Sequence, residues 1–282
     1  MRVRLIYSYF GTAEKAWKSS PGSFIDIGLP EKKVEEFVSF RKSFNIKSYF
    51  EKLSKLNIKV TTFLDKDFPE ALKNLDNAPA VLYYKGSLKG LKAGSVAIVG
   101  TRKMTPYGRE VTEKFSRELA GFGVTIISGL ARGVDTAAHK ACLSARGLTV
   151  AILGNGLDSV YPPENRDLAE EIVKKGGAVI SEYPPGHPAL PSNFALRNRI
   201  ISGLSGCVLV IEGAEKSGTL LTASHAAQQG KTVLAVPGQI TSPLSGAPLY
   251  LLKNGAKMAT EVQDVLEEFG IDFSVVGEMG KR

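Results

Sequence analysis

Arginines and glycines recur together in several segments of the second two-thirds of the chain. A guanidinium group stays charged in proteins, and its planar fork fits phosphate oxygens. Glycines just ahead of a helix let the backbone approach a ligand, and the free amides at the helix start favour anions. The arginines are Arg102, Arg132, Arg166, Arg197 and Arg199, and the glycines are Gly129, Gly133, Gly154, Gly156 and Gly218. Together they predict a phosphate-binding site, although each glycine alone also fits a tight turn and each arginine alone a surface ion pair.

Three aromatic residues stand in the same loops as basic residues: Tyr107, Tyr161 and Phe194. The unstacked bases of a single strand of nucleic acid need ring faces, and its backbone needs positive charge. The combination therefore favours a strand over a small nucleotide as the ligand. Packing of each ring beneath a long loop is the alternative interpretation.

The sequence motifs of several common enzyme classes are missing. The chain has no GxxxxGK[ST] and no GxSxG motif, and Gly100-Thr101-Arg102 stands where a dinucleotide-binding GxGxxG would be expected. None of the histidines has metal-ligand spacing; they are His139, His187 and His225. We therefore expect no catalytic residue, no metal and no cofactor.

Acidic and hydroxyl residues in the loops have two interpretations. Three carboxylates could form an acid/base pair: Asp158, Glu182 and Glu212. Asp158 and Glu182 could instead hold arginines in place, and we favour this second role. We expect Asp135 to cap the helix that begins beside it, and Ser217 or Thr219 to cap a helix beginning near Gly218.

The composition is that of a globular protein. A length of 282 residues with 43% hydrophobic and 23% charged residues fits one large domain or two smaller ones. No stretch approaches the ~18 apolar residues of a membrane span, and the first ten residues have too short an apolar core for a secretory signal. We expect a cytoplasmic protein that makes no membrane contact. Cys142 and Cys207 stand in apolar surroundings and are predicted to be small buried side chains.

The net charge of +8 suggests an anionic partner, although excess charge also serves solubility. The charge is unevenly distributed. Residues 1–94 hold 17 Lys and Arg against 10 Asp and Glu, and the remaining residues hold 19 against 18. The basic excess therefore belongs almost entirely to the first third, where a solvated helical face is the simpler interpretation and DNA contact the other.

Six short apolar runs precede the special loops and alternate with helical segments, a pattern typical of a parallel α/β sheet. The carboxyl ends of parallel strands meet at one edge of the sheet, where ligands bind. The special loops are therefore expected to converge. The predicted strands are Val96 to Val99, Val124 to Ser128, Leu148 to Leu153, Ala178 to Ser181, Val208 to Glu212 and Thr232 to Val236.

The N-terminal third has a different pattern, with apolar residues at helical spacing in residues 31–40 and 48–56. A strand-like stretch at residues 80–84 precedes a change in both charge and pattern near residues 85–94. The predicted organisation is a small basic helical domain (1–62), a connecting segment (63–94), a sheet domain (95–270) and a short tail (271–282).

A set of collinear motifs resembles the DNA-processing protein A family, also called DprA or Smf. The motifs include VAIVGTRKMTPYG, ISGLARGVDTAAH, AILGNGLDSVYPPEN, FALRNRIISGLS and SGTLLTASHAAQQGK, and the resemblance covers residues 64–255. It implies an extended Rossmann-like domain preceded by a small helical domain related to sterile alpha motifs. It further implies a non-enzymatic, cytoplasmic homodimer. Such a protein would bind and protect single-stranded DNA and load the RecA recombinase onto it during natural transformation.

The resemblance also implies DNA-binding residues, carried over motif by motif. Arg102 is the foremost candidate for a phosphate contact. The full set is Gly100, Thr101, Arg102, Ser128, Gly129, Arg132, Gly133, Asp135, Gly154, Gly156, Asp158, Tyr161, Asn165, Arg166, Phe194, Arg197, Asn198, Arg199, Ser217, Gly218 and Thr219.

The chain departs from the family pattern in three places. Many members have FPxRNR where this chain has FALRNR, with Ala195 in place of the proline. Two positions that are often lysine are Pro163 and Pro191 here, so Arg166 or Lys103 would have to supply the missing charge. Some relatives continue into a winged-helix domain, for which residues 262–282 are too few.

The sequence leaves two other functions and one self-association surface as alternatives. A phosphoribohydrolase-like enzyme would carry a PGGxGTxxE motif, but Thr222 stands at its glutamate position. A sensor that binds a signalling nucleotide is a third reading. For dimerisation, residues 249–252 and 262–269 are candidates, with an ordinary amphipathic core helix as the alternative.

Overall fold

The computed structural model describes residues 2–92 and 94–270, whose strands form one mixed sheet. Its order is β1-β2-β6-β5-β4-β3-β7-β8-β9. The strands are β1 (Lys59–Thr62), β2 (Val81–Gly86), β3 (Ser95–Val99), β4 (Thr125–Ser128), β5 (Thr149–Leu153), β6 (Ala178–Ser181), β7 (Cys207–Val210), β8 (Thr232–Ala235) and β9 (Lys257–Met258).

The six predicted strands are confirmed as β3 to β8, and they pair in parallel. Central strands covered by helices on both faces are apolar throughout, which is why their short runs were recognisable. One boundary was wrong at the site: β7 ends at Val210, so Glu212 lies in the loop after the strand. The two-residue strand β9 extends the parallel sheet beyond the predicted set.

Two antiparallel strands extend the other end of the sheet. The predicted stretch at residues 80–84 is strand β2, which pairs with β6, and β1 forms the edge beside it. Strand β1 lies within residues 1–62, for which a helical domain was predicted, so the sheet begins earlier in the chain than its parallel part. The division into domains remains a prediction.

Five helices precede the sheet: α1 (Arg2–Phe10), α2 (Ala13–Lys18), α3 (Pro21–Asp26), α4 (Glu31–Ser43) and α5 (Ile46–Lys55). Three buried side chains give the first four a small core of their own: Ala16, Phe24 and Val34. Both predicted helices are present. The second begins earlier than predicted because the Asn45 side chain caps it, accepting a hydrogen bond of 2.9 Å from the backbone N–H of Ser48.

The remaining helices are α6 (Glu70–Lys73), α7 (Pro106–Gly121), α8 (Val134–Ser144), α9 (Arg166–Lys174), α10 (Pro191–Leu204), α11 (Gly218–Gln228), α12 (Gly246–Lys253) and α13 (Val262–Leu266). Helices cover both faces of the sheet. Alternate residues of β3 show this: Val96 and Ile98 pack with Phe115 of α7, whereas Ala97 and Val99 pack on the face covered by α10 and α11. The α/β, extended Rossmann-like class is therefore confirmed.

The strand order reverses between β3 and β7, because successive strands from β3 run one way through β4 to β6 and the other way through β7 and β8. Ligands of doubly wound sheets bind at the carboxyl ends of strands at such a reversal. The loops after β3 and β7 flank this point. They contain Arg102 and Ser217 respectively.

Several other predictions concern regions away from this edge. Helix α13 buries Val262, Val265 and Leu266 in the core, so the core-helix alternative is correct for that candidate dimer surface. Cys142 and Cys207 are buried and free, as predicted. No helix among the described residues is long and apolar enough to cross a membrane. The predicted tail, residues 271–282, lies outside the described residues.

Candidate nucleic-acid interface

A cavity of about 490 Å³ lies at the strand-order reversal, between the loop after β3 and the first turns of α10 and α11. Both hydroxyl and guanidinium groups reach it. Ten of the predicted residues line it: Gly100, Thr101, Arg102, Asp135, Phe194, Arg197, Asn198, Ser217, Gly218 and Thr219. Seven further lining residues were not among the predicted site residues: Val99, Ala131, Pro191, Ala195, Ile201, Leu221 and Thr222. Leu221 could have been found from its position one helical turn after Gly218.

Arg102 is exposed at the mouth of this cavity. Its guanidinium carbon lies 5.8 Å from the ring centroid of Phe194, and the Phe194 ring lies 5.3 Å from that of Tyr161 at an angle of 35°. No carboxylate in residues 2–92 or 94–270 forms an ion pair with Arg102. The cluster thus offers one unpaired cation beside two partly accessible rings, the combination that a single strand requires.

Close packing of glycine backbones fixes the loop that carries Arg102. The N–H of Thr101 donates to the carbonyl of Glu212 at 2.8 Å, and the carbonyl of Thr101 accepts from the N–H of Val134 at 3.2 Å. A Cβ at Gly100 would lie 2.6 Å from the Val134 side chain. Gly133 has a φ of +74°, and a Cβ there would overlap the Thr101 carbonyl. These two glycines are therefore needed to position Arg102.

Glu212 anchors the far end of the same loop. Its buried carboxylate accepts hydrogen bonds from the backbone N–H of Thr105 at 2.9 Å and from the Thr105 hydroxyl at 2.6 Å. A Cβ at Gly108 would overlap this carboxylate, so the first turn of helix α7 packs directly on the Glu212 side chain. Among the described residues, Glu212 forms no ion pair with an arginine and no hydrogen bond with another carboxylate; it positions the loop.

Arg197 lies in the interior, although the sequence predicted a phosphate contact. The residue is only 5% exposed, and its guanidinium donates to the carbonyl of Gly129 at 2.8 Å and to the carbonyl of Ile152. Burial lowers its pKa to about 10, an effect that the nearby Asp135 carboxylate opposes. A guanidinium engaged with two buried carbonyls supports the cavity floor, which argues against direct phosphate contact.

The prediction that Asp135 caps helix α8 was wrong, because Gly133 occupies the N-cap position. The Asp135 carboxylate instead accepts hydrogen bonds from the backbone N–H groups of Gly129 at 3.0 Å and Ala131 at 3.3 Å. Burial raises the pKa of Asp135, while the Arg197 charge and these hydrogen bonds act in the opposite direction. The carboxylate therefore fixes the loop after β4.

Arg199 is also buried, and its guanidinium donates to both carboxylate oxygens of Glu182, at 2.8 and 2.6 Å. The preferred role of Glu182, holding an arginine in place, is therefore confirmed. Asp158 has a different role: its carboxylate accepts from the backbone N–H of Gly186 at 2.8 Å, which closes the long loop after β6. Neither carboxylate is arranged as an acid/base pair.

Helix α11 begins at the cavity with Gly218, and Ser217 occupies its N-cap position. The predicted cap is absent, because neither hydroxyl in this turn accepts a capping hydrogen bond from the helix. The Ser217 Oγ is buried without a hydrogen-bond partner among the described residues. Asn198 of the neighbouring helix donates to the Gly218 carbonyl at 3.4 Å. The positive end of the helix dipole favours an anion in the cavity.

Four other predicted residues have structural positions outside the cavity. The buried Ser128 hydroxyl donates to the carbonyl of Ile98 at 2.7 Å. Asn165 is buried and donates to the Leu130 carbonyl and the Thr136 hydroxyl, both at 2.8 Å. The two glycines that approach other chain segments closely are Gly154, against the Phe194 ring, and Gly156, against the Pro184 carbonyl.

The two remaining predicted arginines form exposed ion pairs. Arg132 pairs with Glu164 and lines a shallow depression that also contains Arg102, Tyr161 and Phe194. Arg166 pairs with Glu170 at 3.2 Å and lines a different cavity, together with Pro163. Of the two residues expected to compensate for the prolines, Lys103 is exposed beside Arg102, whereas Arg166 is not part of the cavity at α11.

Comparisons with known proteins identify the family of this chain. The family model for DNA recombination-mediator protein A matches residues 59–270. Protein Smf of Escherichia coli strain K12 is 42% identical over 247 residues, which cover 86% of this chain and 66% of that protein. DNA processing protein DprA of Bacillus subtilis is 36% identical over 263 residues, which cover 90% of this chain and 88% of that protein.

Solved structures extend the likeness to the fold. The crystal structure of DNA processing protein A from Streptococcus pneumoniae superposes with a TM-score of 0.82 at 36% identity, covering 95% of this chain and 92% of that one. DNA processing protein A from Helicobacter pylori, studied for its single-stranded DNA binding mode, gives a TM-score of 0.68 at 29% identity, covering 79% and 98%. By sequence and by fold, the chain belongs to the DNA recombination-mediator protein A family.

Proposed function

We propose that this protein binds single-stranded DNA at the cavity between α10 and α11 and acts as a non-enzymatic recombination mediator. Arg102 contacts a phosphate, the first turn of α11 faces the backbone, and Phe194 packs against a base. The helicobacter relative, whose single-stranded DNA binding mode has been studied, supports this proposal. The exposed Arg102 and Tyr161 and the half-buried Phe194 make the direct contacts, while the buried Arg197 and Arg199 support them from below.

The observation that carries the proposal is the cluster of Arg102, Phe194 and Tyr161. A free cation 5.8 Å from an aromatic ring is attracted to its face, so the guanidinium stays near the ring instead of pairing with a carboxylate. The backbone of a strand meets the charge where its base meets the ring. Double-stranded DNA keeps its bases stacked and gains nothing from the rings.

The partners expected from the family remain part of the same proposal. The protein would protect incoming DNA in the cytoplasm and present it to the RecA recombinase during natural transformation. A homodimer would carry two such cavities, and a strand long enough to reach both would bind with increased avidity. Tyr250 and Met258 are exposed near the end of the sheet and are available for that contact.

The lack of an accessible carboxylate in the cavity disfavours nucleotide hydrolysis as the function. Thr222 occupies the position of the hydrolase glutamate and is buried. Asp135, the acidic residue that lines the cavity, is only 7% exposed and accepts two backbone hydrogen bonds at one carboxylate oxygen. A general acid or base must come within hydrogen-bond distance of the proton that it transfers, and the burial of this carboxylate opposes such a contact. No other acidic residue among the described part of the chain lines this cavity.

A competition experiment tests the proposal. A fluorescein-labelled single strand is bound to the protein and displaced by unlabelled single-stranded or double-stranded DNA of the same sequence. We expect the single strand to compete at least tenfold better, and Arg102→Ala to bind the probe more weakly. Arg146→Ala, at the opposite edge of the sheet, is the matched control and should bind like wild type. Equal competition by both forms of DNA would contradict the proposal.

A further inference from the structure

A second cleft lies away from the DNA cavity, between helix α9 and the turn from α5 to β1. Its main part has a volume of about 830 Å³. A smaller cavity of about 420 Å³ adjoins it, and the two share Asn57 and Lys59 in their walls. We call this combined space the α9 cleft. The two volumes together exceed the ~1,000 Å³ of a large small-molecule pocket, and the combined space suits an extended ligand.

The floor of the main part of the α9 cleft is aliphatic, and the smaller part adds one exposed aromatic side chain, Phe50. Leu153, Leu157 and Val179 form a buried floor, and the half-buried Val160 and Val173 open toward it. No aromatic side chain lines the main part within the described residues. Bases of a nucleic acid bind best on ring faces, so this floor suits branched aliphatic side chains better than a DNA strand.

The rim of the α9 cleft is positively charged. Lys59, Lys85 and Lys174 come from three separate elements, and none forms an ion pair with a carboxylate in residues 2–92 or 94–270. Lys59 is held near the rim, because its ammonium lies 5.8 Å from the Tyr84 ring centroid and donates to the Gly86 carbonyl at 3.4 Å.

The two acidic residues of the α9 cleft do not neutralise these lysines. Asp158 accepts from the backbone N–H of Gly186 at 2.8 Å, and Glu170 pairs with Arg166 at 3.2 Å. Four basic residues against two acidic ones leave the cleft a net charge of +2, and no carboxylate forms an ion pair with the three lysines among the described residues. A positive rim around an aliphatic floor suits a ligand that carries negative charges and at least one aliphatic side chain. An acidic peptide segment has this chemistry.

We propose that the α9 cleft docks an acidic peptide of a partner protein, with leucine-like side chains on the aliphatic floor and carboxylates at Lys59, Lys85 and Lys174. This site is independent of the DNA cavity. It gives the protein a second surface through which another protein can be held while the strand is bound. Electrostatic attraction at the exposed rim makes the binding sensitive to salt.

A labelled peptide tests this inference. A fluorescein-labelled Asp-Asp-Leu-Leu-Asp-Asp peptide is titrated with the full chain, beside a second peptide in which serines replace the leucines. We expect saturable binding of the first peptide and at least tenfold weaker binding of the second. The double variant Lys85→Glu/Lys174→Glu should lose at least tenfold in affinity, whereas Lys114→Glu on α7 should bind like wild type.

Binding of labelled single-stranded DNA serves as the folding control and separates this proposal from the proposed function. The double variant should bind the oligonucleotide as wild type does, while Arg102→Ala should bind the peptide as wild type does. Absence of saturable peptide binding by wild type, or equal affinity in the double variant, would overturn the inference. It would also be overturned if the double variant lost oligonucleotide affinity and kept peptide affinity, because the cleft would then carry DNA.

Discussion

Arg197 and Asp135 both bind the backbone of Gly129, one at its carbonyl and the other at its N–H. The Arg197 guanidinium donates to the carbonyl oxygen of Gly129 at 2.8 Å, and the Asp135 carboxylate accepts from the N–H of Gly129 at 3.0 Å. A Cβ at Gly129 would lie 2.4 Å from the nearest guanidinium nitrogen, so only glycine fits at this position. The buried charges thus fix the backbone beneath the Arg102 cluster.

We predict that Arg197→Met lowers stability before it affects binding. The substitution leaves the buried carbonyls of Gly129 and Ile152 without their donor, which typically costs about 1 to 3 kcal/mol each in the free energy of unfolding, and it removes the positive charge near Asp135. Urea unfolding of the variant and wild type measures the difference. A variant of wild-type stability with weaker DNA binding would instead make Arg197 a direct contact.

His139 should make stability depend on pH. Its ring is fully buried; the Thr149 hydroxyl already donates to the Ile126 carbonyl, so it accepts from Nδ1–H of His139 at 2.7 Å. Burial, with the Arg197 charge, lowers the pKa of His139 from 6.5 to about 3. The unfolded chain therefore takes up a proton below pH 6.5 that the folded protein does not. The contribution of His139 to the free energy of unfolding is therefore fully present above pH 6.5 and is lost as the pH falls toward about 3.

The expected loss is about 1.4 kcal/mol in the free energy of unfolding per pH unit between the two pKa values. Urea unfolding at a series of pH values from neutral to mildly acidic measures it. In His139→Gln the dependence on pH should be shallower by this amount, even if the variant is less stable throughout. Parallel curves for the variant and wild type would show that His139 is protonated in the folded protein.

Lys231 should stabilise helix α10, which carries Phe194. Its ammonium donates to the carbonyls of Ser202 at 2.8 Å, Gly203 at 2.7 Å and Ser205, at the carboxyl end of the helix. Lys231→Met retains most of the apolar stem and removes these hydrogen bonds. We expect a loss of about 1.5 to 3 kcal/mol in the free energy of unfolding, measured with urea. Lys140→Met, an exposed lysine of α8, is the control; an equal effect in both variants would refute the capping role.

Phe194 should contribute to strand binding through its ring. Phe194→Ala is expected to weaken single-stranded DNA binding by about 1 to 3 kcal/mol while leaving the salt dependence nearly unchanged, as for loss of base stacking. Anisotropy titrations at several salt concentrations measure both quantities. Leu221→Ala, which shortens another side chain of the same cavity, is the matched control. A Phe194→Ala effect that disappeared at high salt would show that the ring acts only by positioning Arg102.

The sheet and the convergence of its loops were predictable because the apolar runs of buried parallel strands are easy to recognise. All parallel strands present their carboxyl ends at one edge, so the loops had to meet there. Strand β1 was not recognisable, since Lys59–Thr62 is short and mixes polar and apolar residues. It forms a strand because β2 offers it a hydrogen-bonding partner.

The sequence predicted where the candidate site lies, but it did not predict which of its arginines are buried and which are exposed. Sequence spacing cannot show that the carbonyls of Gly129 and Ile152 meet Arg197, because these residues come from separate loops and strands. The partner of Arg199 was better indicated, since Glu182 also stands in the loop after a strand. Asp158 has the same kind of position in the sequence as Glu182. Its carboxylate nevertheless accepts a hydrogen bond from the backbone N–H of Gly186, in the long loop after β6.

The salt dependence of strand binding tests the central claim most directly. Affinity for a labelled single strand is measured over a salt series for wild type, Arg102→Ala and the Arg146→Ala control. Each phosphate contact contributes about 0.7 to the slope of log affinity against log salt concentration. We predict that Arg102→Ala weakens binding and lowers the slope by about this amount, while the control matches wild type. An unchanged slope in Arg102→Ala would contradict the assignment of Arg102 as the phosphate contact.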